Sequence, residues 1–461
     1  MSERDLTRGP LGPHLVALAG PAAFGMLFTT LYNVVDTFYA GWISTEAQAG
    51  LALSFSIFML LVSLGFGLSQ GASALIGGAL GAGRPEAARA YAAGALGLAA
   101  LLGAALGLAG ALLAGPALAL LGAEPAVLAA AESYLKLLFL GLPGFLVGFT
   151  ANGVLTAQGD TSANRNAQAA AFLANIGLNP LLIYGAFGLS GLGFDGIAAS
   201  TILIQAAVAL FLLSRARRTR ALRGAGWRDA SPARAIFLAL LRQGLPASLT
   251  MLVMMAGGLI MQAHLQPFGA AAVAGFGVAF RVEQLILLPI LSLSIALMPL
   301  TAQSFGAGDH DRVRQTATLA ALAALGLSLA GSVLLGLFGA ALTGLFTGDA
   351  AAIASGAAYL RAAALMTPAY ALMFLVTAFF QGVRRPVWSV VIGLYRQIFA
   401  LLLFPALFVS GLGWGLAGVW AGLFAAVWSG FALSMLLAVI VGHRAIGGFR
   451  PDFSALRRGG A

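Results

Sequence analysis

The chain has 461 residues, of which 60% are hydrophobic and only 9% charged, with 61 glycines and no cysteine; its mean hydropathy is +0.95. A water-soluble domain keeps about a quarter of its residues charged, so this composition excludes a soluble protein, and the missing cysteines exclude disulfides and thiolate metal sites. A formal net charge of +10 would suit nucleic acid, yet the arginines stand in short loops between apolar runs rather than on one basic face. That placement excludes such a partner and makes them orientation signals.

Apolar runs of about 20 residues, long enough to cross a bilayer, predict about twelve helices. In the first half they fall at 15–41, 51–78, 90–121, 134–157, 167–188 and 196–213. In the second half they fall at 245–265, 273–302, 317–346, 359–380, 387–409 and 416–441. The runs are too long, and too poor in period-two alternation, for a β-barrel. No cleavable signal is read in the polar opening MSERDLTRGPLGPH.

The cations sort to one side as the runs alternate. Arg4 and Arg8 precede the first run, Arg84 and Arg89 follow the second, and Arg165 follows the fourth. The connector after the sixth carries Arg215, Arg217, Arg218, Arg220, Arg223, Arg228 and Arg234, with Arg242 at its end. Arg312, Arg314, Arg384 and Arg385 continue the series, and Arg444, Arg450, Arg457 and Arg458 close it. About twenty-one of the 25 Lys and Arg share this side; Lys136 and Arg361 are near the other. The expectation is a multi-pass protein of the cytoplasmic (inner) membrane with both termini cytoplasmic.

The two halves repeat at a shift of about 225 residues. Pro21 falls on Pro246, Pro143 on Pro368 and Pro180 on Pro405. AGLALSF at 49–55 falls on AGFGVAF at 274–280, Gly81-Ala82-Gly83 on Gly306-Ala307-Gly308, Tyr134-Leu135 on Tyr359-Leu360, and Lys136 on Arg361. Gln158-Gly159 matches Gln381-Gly382 with a slip of two. The expected fold is therefore all-α, with two pseudo-symmetric six-helix bundles covering 1–225 and 226–461. An even number of spans gives both bundles the same orientation about a cleft, as alternating access requires.

Only two acids stand inside the runs, Asp36 in the first and Glu283 in the eighth. A carboxyl at that depth is expensive and marks a functional site. Asn175 and Asn179 on the fifth run are one turn apart on a shared face, and both lie at the depth of Asp36. The expected coupling-ion site comprises Asp36, Asn175, Asn179, Thr201 and Asn152, oxygens suited to a proton or a sodium ion. Asn33, Thr37 and Gln70, with Tyr370 and Met254 in the second half, are assigned to a substrate cavity. The repeat replaces Asp36 by Met261, Asn175 by Ala400 and Asn179 by Phe404, so the polar site belongs to the first half alone. Glu283 is read either as paired with Arg396 or Arg281, stapling the second half, or as a second proton site. His264 is placed at the membrane interface, and Pro21 is the expected hinge of the first helix. The glycine-rich stretches lack G-x-x-x-x-G-K-S/T, and nothing resembles a zinc site or a nucleophile–His–acid set, so neither an ATP motor, an enzyme nor a cofactor is expected.

LYNVVDTFYAG downstream of Pro21, GASALIGGALGAGR, the Gln158-Gly159-Asp160-Thr161 turn, FRVEQLILLPI and LYRQI together resemble the multidrug and toxic compound extrusion (MATE) family over essentially the whole chain. The resemblance implies cation-coupled export of organic, often cationic and amphipathic, compounds by a monomer of two six-helix lobes. It links Asp36 to coupling-ion binding and Asn175, Asn179 and Thr201 to that acid. Some members carry Asp where this chain has Asn179, and another branch carries acids where this chain has Met254 and Tyr370, so a sodium site of that second kind is not expected. The alternative is a flippase of lipid-linked precursors, which would need several cleft cations where only Arg281 and Arg396 are embedded. A lipid-modifying membrane enzyme is more remote, because it would need an interfacial cluster of acids, His and Arg, of which the outer loops have almost none.

Overall fold

The computed structural model describes residues 4–120, 125–185, 190–226, 229 and 233–449. Among them are twelve helices long and apolar enough to cross a membrane and no strand. In lipid every backbone N–H and C=O must be satisfied inside its own segment, which leaves helices as the solution for runs of this length. They are α1 (Leu11–Ile43), α2 (Thr45–Gly81), α3 (Pro85–Leu120), α4 (Pro125–Ala157), α5 (Ser162–Tyr184) and α6 (Asp195–Arg217). The second set is α7 (Arg234–Leu265), α8 (Ala270–Gly306), α9 (His310–Gly344), α10 (Ala350–Gly382), α11 (Val387–Gly411) and α12 (Gly415–Ile446).

Most helices outrun the apolar windows that predict them, because polar end turns continue the same hydrogen-bond ladder. The Ser44 hydroxyl, for example, accepts from the Ala47 amide at 3.0 Å and opens α2. Helix α5 instead stops early: Gly185 adopts φ 77 and its N–H returns to the Leu181 carbonyl. Positions 121 and 188, where two runs were predicted to end, lie outside the described residues, as do Arg228, Arg450, Arg457 and Arg458. Helix α11 is not uniform; Tyr395–Ala400 and Leu407–Gly411 are π-helical.

The chain forms two compact units, Met1–Asp5 with Phe24–Ser248, and Leu6–Ala23 with Leu249–Ala461. This corrects the expected cut after residue 225. The opening turns of α1 belong to the second unit and those of α7 to the first, and each change of unit falls two residues after a repeat-related proline, Pro21 or Pro246. Local bonds explain both assignments. The Leu6 amide donates to Gln303 Oε1 at 3.2 Å. The Arg312 guanidinium donates to the carbonyls of Leu6, Gly9 and Arg8 at 3.0, 2.9 and 3.1 Å. The start of α7 lies against α2 so closely that a Cβ on Gly67 would stand 2.0 Å from Ser248 Oγ and 2.5 Å from the Gly244 carbonyl, and one on Gly71 2.7 Å from the Gly244 amide. Small residues permit this approach where lipid supplies no hydrophobic drive between helices.

In the first unit α4 packs against α2, α3 and α6; in the second, α10 packs against α8, α9 and α12. These hubs correspond under the repeat. The turns after them match at a shift of 225 without the slip read from Gln-Gly: Asp160 N–H bonds the Leu155 carbonyl and Arg385 N–H the Phe380 carbonyl. Arg384 (φ 59) occupies the left-handed position held by Gly159 (φ 79), a conformation that costs any residue with a Cβ.

Gly67→Val will force α2 from α7 and destabilise the protein by about 1–3 kcal/mol, measured as a lowered thermal midpoint in detergent. Gly326→Ala, where a Cβ meets nothing within 4 Å, will leave that midpoint unchanged or raised.

Candidate functional site

The first unit brings α1, α5 and α6 together around one carboxylate. Tyr32, Asp36 and Ala40 form the buried stripe of α1 at helical spacing. Facing it, Asn175 and Asn179 are the fully buried pair on α5, and Ser200 and Thr201 come from α6. Asp36 Oδ1 accepts from Asn175 Nδ2 and Asn179 Nδ2, each at 2.8 Å. Thr201 Oγ1 donates to Asp36 Oδ2 at a longer 3.5 Å and accepts from the Tyr32 hydroxyl at 3.1 Å. The second amide proton of Asn179 is directed at Asn175 Oδ1, 3.3 Å away, and Ser200 donates to Asn179 Oδ1. Among the described residues no Lys, Arg or His forms an ion pair with Asp36. Its partners are all neutral.

The predicted grouping of Asp36 with Asn175, Asn179 and Thr201 is thus assembled, and Tyr32 and Ser200 join it unforeseen. Both carried a signal: Tyr32 is one turn before Asp36 on the same face, and Ser200 precedes Thr201. Asn152 does not join. Around it α4 faces α2, where Ser69 Oγ donates to the Phe149 carbonyl at 2.7 Å and a Cβ on Gly153 would stand 2.4 Å from the Ser69 carbonyl. Asn152 Oδ1 is buried without a hydrogen-bond partner. Asn33 and Thr37 are exposed, rotated about 100° from the Asp36 stripe, and Thr37 Oγ1 bonds the Asn33 carbonyl. Gln70 is half-buried on α2.

In the second unit the positions that the repeat sets against Asp36, Asn175 and Asn179 are apolar: Met261 and Ala400 are buried and Phe404 is half-buried. Glu283 is 2% exposed on α8 and accepts from the Tyr359 hydroxyl of α10. This corrects the expected arginine pairing. Arg281, two residues along the helix, is exposed on another face, and Arg396 places its guanidinium over the Tyr370 ring, 5.1 Å from the centroid. Met254 is exposed and Tyr370 half-buried. His264, in the last turn of α7, has its Nε2 3.1 Å from the Leu401 carbonyl of α11.

Twelve apolar helices among the described residues, in two related halves of which one carries a buried acid among amides and hydroxyls, have the make-up of a membrane transporter. The MatE family profile matches residues 21–181 and 246–406, two segments offset by the repeat distance, and the chain belongs to that family. It is a transporter and not an enzyme. An outward-facing MATE transporter of the MOP superfamily superposes with a TM-score of 0.89 at 26% identity, covering 96% of this chain and 99% of the other. A MOP superfamily transporter of Pyrococcus furiosus, described as having a binding pocket of reverse polarity, gives the same figures. The FAD transporter of Shewanella oneidensis is 29% identical over 68% of this chain and 70% of its own length. The probable multidrug resistance protein YoeA of Bacillus subtilis is 30% identical over 59% of this chain and 60% of its own length.

Ser200→Ala will leave the buried Asn179 carbonyl oxygen without its donor and cost about 1–3 kcal/mol of stability, read by thermal unfolding. Ser214→Ala, on an exposed turn of α6, will change it by less than about 0.5 kcal/mol.

Proposed function

We propose that this chain is a cation-coupled antiporter that exports organic, often cationic or amphipathic, compounds by alternating access. It works in the cytoplasmic (inner) membrane with both termini cytoplasmic, and the cation site is the Asp36–Asn175–Asn179–Thr201 cluster. One observation carries the reading: Asp36 is 8% exposed and held only by neutral donors. A buried carboxylate without a fixed counter-charge is costly, and an exchangeable cation is the economical way to neutralise it. A proton can be bound by one oxygen, and a sodium ion by the carboxylate together with amide and hydroxyl oxygens. Neutralisation also removes the attraction that the ionised acid exerts on a cationic substrate. Such a contact is worth about 4 kcal/mol at 4 Å and an effective dielectric constant near 20, of the order needed to reverse a two-state population. Pro21, whose ring removes a backbone bond from α1, gives that helix a place to bend as the charge beside it changes.

The multidrug names among the relatives favour drugs as the cargo. The FAD transporter's similarity makes an anionic dinucleotide the second reading of the cargo.

Asp36→Asn will abolish uphill efflux of ethidium from proteoliposomes while leaving the thermal midpoint within a few degrees of the unchanged protein. Imposing a pH gradient or a sodium gradient separately identifies the driving ion. Full efflux by Asp36→Asn under either gradient would remove the coupling role, and FAD flux in the same vesicles decides the cargo.

A further inference from the structure

We propose that Glu283 is a second exchangeable-proton site, in the second unit, whose proton leaves when the Arg396 guanidinium moves onto the carboxylate. Its part in transport rests on the antiport reading; its protonation chemistry does not.

Glu283 has two differently treated oxygens. Oε2 accepts from the Tyr359 hydroxyl. Oε1 is fully buried and has no hydrogen-bond partner. Around them stand aromatic rings: Phe276 meets Tyr359 edge-on with centroids 5.0 Å apart, and Tyr359 lies 5.3 Å from Trp420, whose indole N–H is also buried without a partner. A carboxylate with a bare oxygen in such surroundings is strongly disfavoured, whereas a carboxylic acid is at home there. In the arrangement seen, Glu283 therefore carries its proton.

Among the described residues the cation that would receive the anion, Arg396, forms no ion pair with an acid. Among the described residues, the titratable groups acting on Glu283 are Tyr359 and Tyr370 of α10 and Arg396 of α11. Arg281 of its own helix is exposed on another face. The Arg396 charge acts on Glu283, but no ion pair within 4 Å joins them among the described residues. Its guanidinium rests instead on the Tyr370 ring, and its aliphatic stem runs past Gly430 of α12, where a Cβ would stand 3.0 Å away. Arg396 also lies in the π-helical stretch Tyr395–Ala400. Single π turns inside a helix are local irregularities found frequently at functional sites, and this one is where α11 re-aims Arg396. The step balances simply: the Glu283 O–H bond breaks, the proton passes to water, and the carboxylate is left facing the guanidinium.

The test is infrared difference spectroscopy of the purified full chain in phosphatidylcholine–phosphatidylglycerol nanodiscs, titrated from acid to alkaline pH. Expected is a carboxylic-acid carbonyl band that disappears on titration, persists in Asp36→Asn and is missing from Glu283→Gln, a substitution that keeps the Tyr359 bond. Arg396→Gln will raise the midpoint of that band by at least about one pH unit, through loss of the cation that favours the charged form. If Glu283→Gln fails to fold, Tyr359→Phe is used instead, and it will shift both the band position and its midpoint. An unchanged band in Glu283→Gln, or in Tyr359→Phe where that replaces it, overturns the site. An unchanged midpoint in Arg396→Gln overturns the switch. A band lost only in Asp36→Asn overturns the inference while leaving the first-unit coupling reading intact.

Discussion

Asp36 is tied to α5 by two amide donors and to α6 by a hydroxyl, and none of those partners carries charge. Much of the first unit's polar interior follows from that arrangement. Asn175 and Asn179 must sit one turn apart so that both amides reach one oxygen. Tyr32 must sit one turn before Asp36 so that its hydroxyl meets Thr201. The helices are thereby registered against one another by hydrogen bonds, in a solvent where apolar packing alone discriminates poorly between registers.

The fold was legible because lipid imposes coarse rules. Run lengths of about 20 residues, one-sided arginines and coincident prolines at 225 each constrain the spans independently. The core of the candidate site was legible because a carboxyl inside a span is rare and because Asn175 and Asn179 share a helical face. What the pattern left open was helix phase. Asn33 and Thr37 are as polar as the cluster members and at comparable depth, but depth does not say which way a side chain points, and Asn152 stands near the opposite end of its own helix. Facing is decided by neighbours such as Ser69 and Gly153, whose close approach has no signature in a chain with so many small residues. Glu283 illustrates the same limit. Opposite charge suggested arginine, whereas the hub helix presents Tyr359. The π-helical turns of α11 were unreadable too, since one extra residue in a turn leaves hydrophobicity unchanged.

The two halves have diverged in chemistry more than in backbone. The turns at 159–160 and 384–385 are superimposable in hydrogen bonding, although one uses glycine and the other arginine at the left-handed position. A Cβ on Gly196 would stand 2.7 Å from the Leu182 carbonyl, and one on Gly418 3.0 Å from the Phe408 carbonyl. On that common frame one half keeps amides and an acid, and the other fills the same places with Met261, Ala400 and Phe404. Backbone contacts that tolerate no Cβ resist change, while a side chain pointing into a bundle can be exchanged for another of similar volume.

The assignment of the α1 opening turns to the second unit and the α7 opening turns to the first has an ancestral reading. Each half lends its leading segment to its sibling, the pattern left when two identical chains that had traded arms are fused end to end. Neither half, severed in the connector, would hold all the pieces of a finished bundle.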